Sequence, residues 1–229
     1  MANPQSPKYY KVAMLLFPGA DILDFCGPAE LLTHVSHSDD YTQPDKAFNI
    51  SYIAGSEIIP AASQLRVLRD HSLEQARADL NTYDILIIPG GMPDAIMSMI
   101  DPPSAELALI RDFIAQPRRA PGQQARVVFS VCTGALLLGA AGAFEGKMAT
   151  THHLCVDTLK QICGEHTEVL QRRYVDAGEL GNGTRVLSAG GISSGLDATC
   201  YLIESLLGLE KVKQATDMAE YERRVVEAR

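Results

Sequence analysis

Short apolar runs alternate along this chain with stretches whose apolar positions recur at helical spacing. Residues 11–17 (Lys-Val-Ala-Met-Leu-Leu-Phe) predict a first buried strand, closed by Pro18-Gly19 and followed by a helix over 22–34. Residues 48–54 predict a second strand, and 65–68 a hairpin or edge excursion. The near-continuous apolar run 84–88 ends at Pro89-Gly90-Gly91, the pattern of a central parallel strand entering a tight loop. Over 105–115, Leu107, Ile110, Phe113 and Ile114 fall on one side of a helix, and the polar, proline-bearing 117–124 is a surface loop.

The pattern continues with a strand over 126–131 and a helix opening straight from it over 133–141. A short strand (147–149) and a helix (153–162) repeat it. Two further strands, 169–174 and 184–188, flank Gly181-Asn182-Gly183, a strong hairpin-turn signal. An apolar helix over 196–207 follows, then a charged helical tail over 210–229 with little of its own to bury. Alternating strands and helices imply an α/β fold: a mostly parallel sheet with helices on both faces and a small hairpin excursion. No repeat or linker divides the 229 residues, so one domain is expected, with 1–9 as a flexible N-terminus.

Composition narrows the function classes. With 46% hydrophobic and 21% charged residues the chain is an ordinary globular one. A net charge of −8 argues against nucleic-acid binding, because the arginine pairs Arg172-Arg173 and Arg223-Arg224 sit among acids and form no basic stripe. The polar N-terminus does not resemble a signal peptide, and no apolar run is long enough to cross a membrane. Five cysteines at irregular spacing, with no Cys-x-x-Cys, predict neither a disulfide framework nor a zinc site, and a cytoplasmic setting is expected.

Four constellations carry candidate chemistry. In Val131-Cys132-Thr133-Gly134 a buried strand becomes a helix with almost no loop. A residue at such an elbow is held in a strained conformation at the top of the sheet, where ligands bind in open α/β folds. The following helix N-terminus would favour the thiolate of Cys132, and Gly134 would admit backbone or substrate; the alternative is a buried structural thiol. Gly90-Gly91 is either a plain strand-ending turn or a source of N–H groups that, with Thr133, form an oxyanion-type hole. Asp24 lies in an apolar run after the first strand, and is either a helix-entry cap or a carboxyl that meets the thiol with a raised pKa. In Thr150-Thr151-His152-His153, His152 is a candidate base or orienter; no metal site is expected from the pair.

Taken in order, Phe17-Pro18, Asp24-x-x-Gly27-Pro28, Ile88-Pro89-Gly90-Gly91, Val131-Cys132-Thr133-Gly134, Ala149-Thr150-Thr151-His152 and Ala189-Gly190-Gly191 resemble the ThiJ/PfpI superfamily. That group includes the Parkinson-disease-associated deglycase and has a class I glutamine amidotransferase-like, flavodoxin-type fold. The acid Asp24, the run Gly146-Lys147-x-Ala149-Thr150-Thr151-His152 and the segment 190–197 are similar to its isonitrile hydratase subfamily. His153 stands where that subfamily carries Trp, and Cys26 replaces a Thr-like residue. The resemblance implies hydration of a small-molecule isonitrile to an N-substituted formamide through a thioimidate on Cys132. Asp24 would manage the protons, first as acid and then as base, while N–H groups of Gly91 and Thr133 hold developing charge. Gly27, Gly90, Gly134, His153 and Ile192 would line the substrate site. It further implies no cofactor and a homodimer; the same domain also occurs in transcription regulators, but with little chain after it here no direct DNA reader is expected. Two other activities stay open, a cofactor-independent glyoxalase and a cysteine redox or ligand sensor.

Overall fold

The computed structural model describes residues 7–40 and 42–224; most of the expected flexible N-terminus and the last five residues of the tail lie outside them. In chain order the elements are β1 (Tyr10–Leu15), α1 (Ile22–Thr33), β2 (Phe48–Ala54), β3 (Ile58–Pro60), β4 (Arg66–Leu68), β5 (His71–Ser72) and α2 (Leu73–Ala78). These are followed by β6 (Ile85–Ile88), α3 (Pro93–Ile100), α4 (Ala105–Ile114), β7 (Val127–Val131), α5 (Gly134–Ala140), β8 (Met148–Ala149) and α6 (Val156–Cys163). The last elements are β9 (Glu168–Val169), β10 (Tyr174–Glu179), β11 (Arg185–Ala189), α7 (Ser194–Leu207) and α8 (Leu209–Met218).

Seven strands form the main sheet in the order β10-β11-β7-β6-β1-β2-β5, parallel except for the edge pair β10–β11. The central strands are apolar because both of their faces are covered. Every residue of β6 and of β7 is buried, and so is Val12–Leu15. Helices α1, α7 and α8 pack together, and α2, α3, α4, α5 and α6 form a second connected set. Each fully buried Leu, Ile or Phe between them contributes roughly 1.5–3 kcal/mol. The architecture is the expected flavodoxin-like α/β sandwich, with β3–β4 as the small hairpin.

The chain leaves β1 toward β2 and β5, then returns to place β6 on the other side of β1. The reversal opens a crevice outside the carboxyl ends of β1, β6 and β7, where ligands collect in such folds. Three segments emerge there side by side: the entry to α1, the Pro89-Gly90-Gly91 loop, and Cys132.

Three details differ from the sequence reading. The strand expected over 169–174 lies at Tyr174–Glu179, while Glu168–Val169 pairs with β8 instead. The polar Asp176 and the left-handed Gly178 (φ 74°) hide that strand, and Arg185 on the partner strand is what lets the acid be buried. Helices α2 and α3 give little apolar pattern: α2 is six residues long and α3 buries only Ile96. The charged tail buries Val212 and Ala215 on α8, then returns along α7 through Tyr221 and Arg224. The hairpin turn before β11 is as expected, held by Asn182, whose Nδ2 donates to the carbonyls of Ile114 (2.7 Å) and Gln116 (2.6 Å).

Candidate active site at the strand-to-helix elbow

Cys132 is the first residue after β7 and sits at φ 57°, a left-handed conformation rare for a residue with a Cβ. Such strain costs on the order of 1–3 kcal/mol and persists only where the surroundings hold it. Here the Cys132 N–H donates to the carbonyls of Ala189 (3.1 Å) and Gly190 (2.9 Å), and its own carbonyl accepts from Thr151 Oγ1 (2.9 Å). The side chain is left 6% exposed at the crevice, with the N–H groups of Ile192 and Thr133 directed at the sulfur.

Close approach of three backbones makes this possible. A Cβ on Gly90 would stand 2.7 Å from Thr133 N and 2.8 Å from Asp24 Oδ2, and one on Gly134 would stand 2.6 Å from the carbonyl oxygen of Pro89. Glycine at both positions therefore brings the β6 loop against the elbow. The N–H of Gly90 donates to Asp24 Oδ2 at 2.9 Å. The N–H of Gly91 donates to Thr133 Oγ1 (2.8 Å), which donates back to the Gly91 carbonyl (2.7 Å). This corrects the expected oxyanion hole: the Gly91 N–H is committed to Thr133, and the donors facing the sulfur are Thr133 and Ile192.

Asp24 is not the cap of α1. Asp21 is, its side chain accepting from Leu23 N at 3.2 Å. Asp24 lies one turn further, fully buried, with Oδ1 lacking a hydrogen-bond partner and the Cys132 thiol beside it. Burial pushes the Asp24 carboxyl up to about 7, against the opposing pull of the Gly90 N–H. Burial, together with the Asp24 charge, pushes the Cys132 thiol up to about 12, the N–H groups of Ile192 and Thr133 acting the other way. The helix N-terminus alone suggested a thiolate. In the folded chain the carboxyl is the stronger acid of the pair, so its ionised form stands beside a protonated thiol.

A cleft of about 580 Å³ opens beside the elbow, and its lining includes Thr151, His152, His153, Arg173, Gly191 and Ile192. Of the residues expected at the substrate site, Ile192 and His153 line it, and Gly90 and Gly134 do not. His152 accepts from Leu154 N through Nδ1 (3.3 Å) and lies against Gly191, where a Cβ would be 3.2 Å from His152 Nε2. Burial, then the adjacent His153 ring at 4.3 Å, hold His152 below the usual imidazole range and so neutral near pH 7. Gly27 does not line this cleft; it faces the end of Leu196 on α7, where a Cβ would be 3.0 Å away, and serves helix packing. Among the described residues, no three His, Cys, Asp or Glu side chains gather as a metal site, and no helix is long and apolar enough to cross a membrane.

Sequence reasoning missed Asp21, whose charge acts on Asp24, Cys132 and His152 together, and Arg173, which frames the cleft. It also gave Thr151 no role of its own. The spacing of that hydroxyl behind a short strand offered the only signal.

The model of the DJ-1/PfpI family matches residues 10–182. The isonitrile hydratase of Pseudomonas putida is 31% identical over 216 residues, which cover 92% of this chain and 78% of that protein. An uncharacterized protein in the cpoL 5′ region of Streptomyces lividans is 31% identical over 154 residues, 67% of this chain and 95% of the other. Among solved structures, a ThiJ/PfpI family protein from Pseudomonas syringae aligns with TM-score 0.72 at 22% identity, covering 98% of this chain and 82% of that one. Drosophila melanogaster DJ-1beta aligns with TM-score 0.70 at 18% identity, covering 93% and 99%. At these identities the two structures show a shared fold.

Proposed function

The chain belongs to the DJ-1/PfpI family, and within it we propose a cysteine-dependent enzyme that hydrates an isonitrile to an N-substituted formamide. The observation that carries the reading is the buried Asp24, raised to about 7 and placed against the Cys132 thiol. The similarity to an isonitrile hydratase over most of the chain supplies the reaction class.

The chemistry balances with these two groups and water. Asp24 carboxylate takes the S–H proton as sulfur bonds to the terminal isonitrile carbon, then gives that proton to the same carbon. The product is a thioimidate, R–N=CH–S–Cys132. Asp24, a carboxylate again, takes a proton from water as the oxygen adds to that carbon and passes it to the nitrogen, giving R–NH–CH(OH)–S–Cys132. Asp24 then takes the hydroxyl proton as the C=O forms and the C–S bond breaks, returns it to the sulfur, and R–NH–CHO leaves. The N–H groups of Thr133 and Ile192 stabilise the sulfur while it carries charge, at its attack and at its departure. Gly91 holds Thr133 in place, and His152 and His153 border the cleft that receives the R group.

An assay with an aryl or cyclohexyl isonitrile beside methylglyoxal tests this. Formamide from the isonitrile, with turnover reduced at least about a thousandfold in Cys132→Ala, is the expected outcome. Full formamide production by Cys132→Ala would falsify the mechanism, and turnover of methylglyoxal alone would replace the reaction. The proposed setting is a cytoplasmic homodimer; a single-chain mass in light scattering would overturn the dimer.

A further inference from the structure

The loop that brings Ile192 to the sulfur is itself strained, with Ile192 at φ 38°. A non-glycine residue in that region stays there only under external constraint. One residue constrains both ends of the loop. The Arg173 carbonyl accepts from Gly190 N (2.8 Å), and Arg173 Nη2 donates to the Ser193 carbonyl (2.9 Å). Arg173 Nε in turn donates to Asp197 Oδ2.

Asp197 lies in the first turn of α7 and is fully buried, whereas its Arg173 partner is 21% exposed at the side chain. The second oxygen of Asp197 is filled from the C-terminal segment: Tyr221 OH donates to Oδ1 at 2.7 Å and the Arg224 N–H at 2.9 Å. A buried carboxylate with donors on both oxygens is rigid, and losing one partner unbalances the rest. The segment after α8 is thereby connected through one carboxylate and one guanidinium to the loop over the thiol.

We infer that Asp197 is a positioning residue for the active-site thiol: clamped by Tyr221 and Arg224, it holds Arg173 across residues 190–193 so that the Ile192 N–H stays directed at Cys132. The inference rests on the reading of Cys132 as the reacting sulfur, yet it is independent of which substrate that sulfur attacks. The Ile192 N–H favours the thiolate, so slackening the loop disfavours it. The other groups acting on the thiol are Asp24 and Asp21 from α1 and the Thr133 N–H, and the relay touches none of them.

The test is the rate of Cys132 carbamidomethylation by iodoacetamide from about pH 7 to about pH 10, located by mass spectrometry, in the full chain and in Tyr221→Phe, Asp197→Asn and Arg173→Lys. Below the thiol pKa the rate follows the thiolate fraction, so a rise of about half a unit slows the reaction about threefold throughout this range. That slowing is expected in all three variants. Arg173→Lys keeps the charge beside Asp197 but cannot span to Ser193, so charge neutralisation alone does not rescue it. If Asp197→Asn fails to fold, the other two variants carry the comparison. Unchanged or faster alkylation, accompanied only by a lower melting temperature, overturns the proposal. Failure of the unaltered protein to hydrate isonitriles leaves this readout intact and counts against the reaction alone.

Discussion

Two buried aspartates, one at the central crevice and one on an edge strand, have opposite titration behaviour. Asp176, on the edge strand β10, is 7% exposed and accepts from Arg185 Nη2 (2.6 Å), Arg185 Nε (3.1 Å), Tyr201 OH (2.7 Å) and Gly178 N (3.0 Å). Burial alone would raise its pKa; the bonds from Arg185 and Tyr201 outweigh it and hold the carboxyl below its ordinary value. Asp24, at the elbow, has one N–H bond and no cation, and burial wins. Sequence position explains neither outcome, since both acids interrupt apolar surroundings. What separates them is the partner set, and it divides a carboxylate that fixes structure from one poised to exchange a proton near neutral pH.

The sharpest way to break the comparison is to follow stability against pH. Asp24 has a folded pKa raised from 3.8 to about 7, so its contribution is fully present below about 4 and is lost as pH rises through 7. The loss is on the order of 4 kcal/mol across that window. Asp24→Asn removes the titration, and denaturant unfolding at about pH 4 and about pH 8 should show the variant much less pH-dependent than the parent. Asp176 has the reverse sign: its stabilisation is present above about 3.8 and is lost as pH falls below it. Activity should rise with pH through about 7 as the Asp24 carboxylate forms, a limb that Asp24→Asn abolishes along with most of the turnover.

A somewhat smaller effect is expected at the edge strand. Arg185→Met leaves Asp176 buried without its cation and removes the bond to Ser205 Oγ (2.8 Å) and the stacking over Tyr201. Breaking such a pair costs about 3 kcal/mol, read as a lower denaturation midpoint. Turnover per folded molecule should be unchanged, because Arg185 lies at the opposite end of β11 from Ala189, whose carbonyl meets Cys132. A loss of turnover at full folding would show the two regions to be coupled.

Much of this was legible in the sequence, for physical reasons that differ between elements. Strands β1, β6 and β7 are covered on both faces, so burial wrote them as apolar runs, and the loops that end them marked the crevice. The elbow was legible because a strand and a helix meet there with almost no loop between them. Partner sets were not. The bonds of Asp197 to Arg173 and Tyr221 each span 24 residues, and Arg185 reaches Asp176 only once the hairpin has formed. The thiol was misjudged because a helix N-terminus is visible in a sequence whereas a buried carboxylate beside the sulfur is not. Gly91 was misassigned because its N–H partner, the Thr133 hydroxyl 42 residues away, is brought to it only by the fold.

The smallest effect tests whether neutral bonds do at the elbow what an ion pair does at β10. Thr133 Oγ1 both accepts from and donates to Gly91, at 2.8 and 2.7 Å, and Thr133 is 3% exposed. Thr133→Val keeps the shape but leaves both Gly91 groups without this partner, at about 1–2 kcal/mol of stability. It also frees the Gly90-Gly91 loop that holds Asp24 Oδ2, so turnover should fall about tenfold with little change in KM. Thr133→Ser retains the hydroxyl and should recover most of both losses. Equal behaviour of the Val and Ser variants would mean that the loop is held by packing instead, through the close approach of Gly90 and Gly134 to their neighbours.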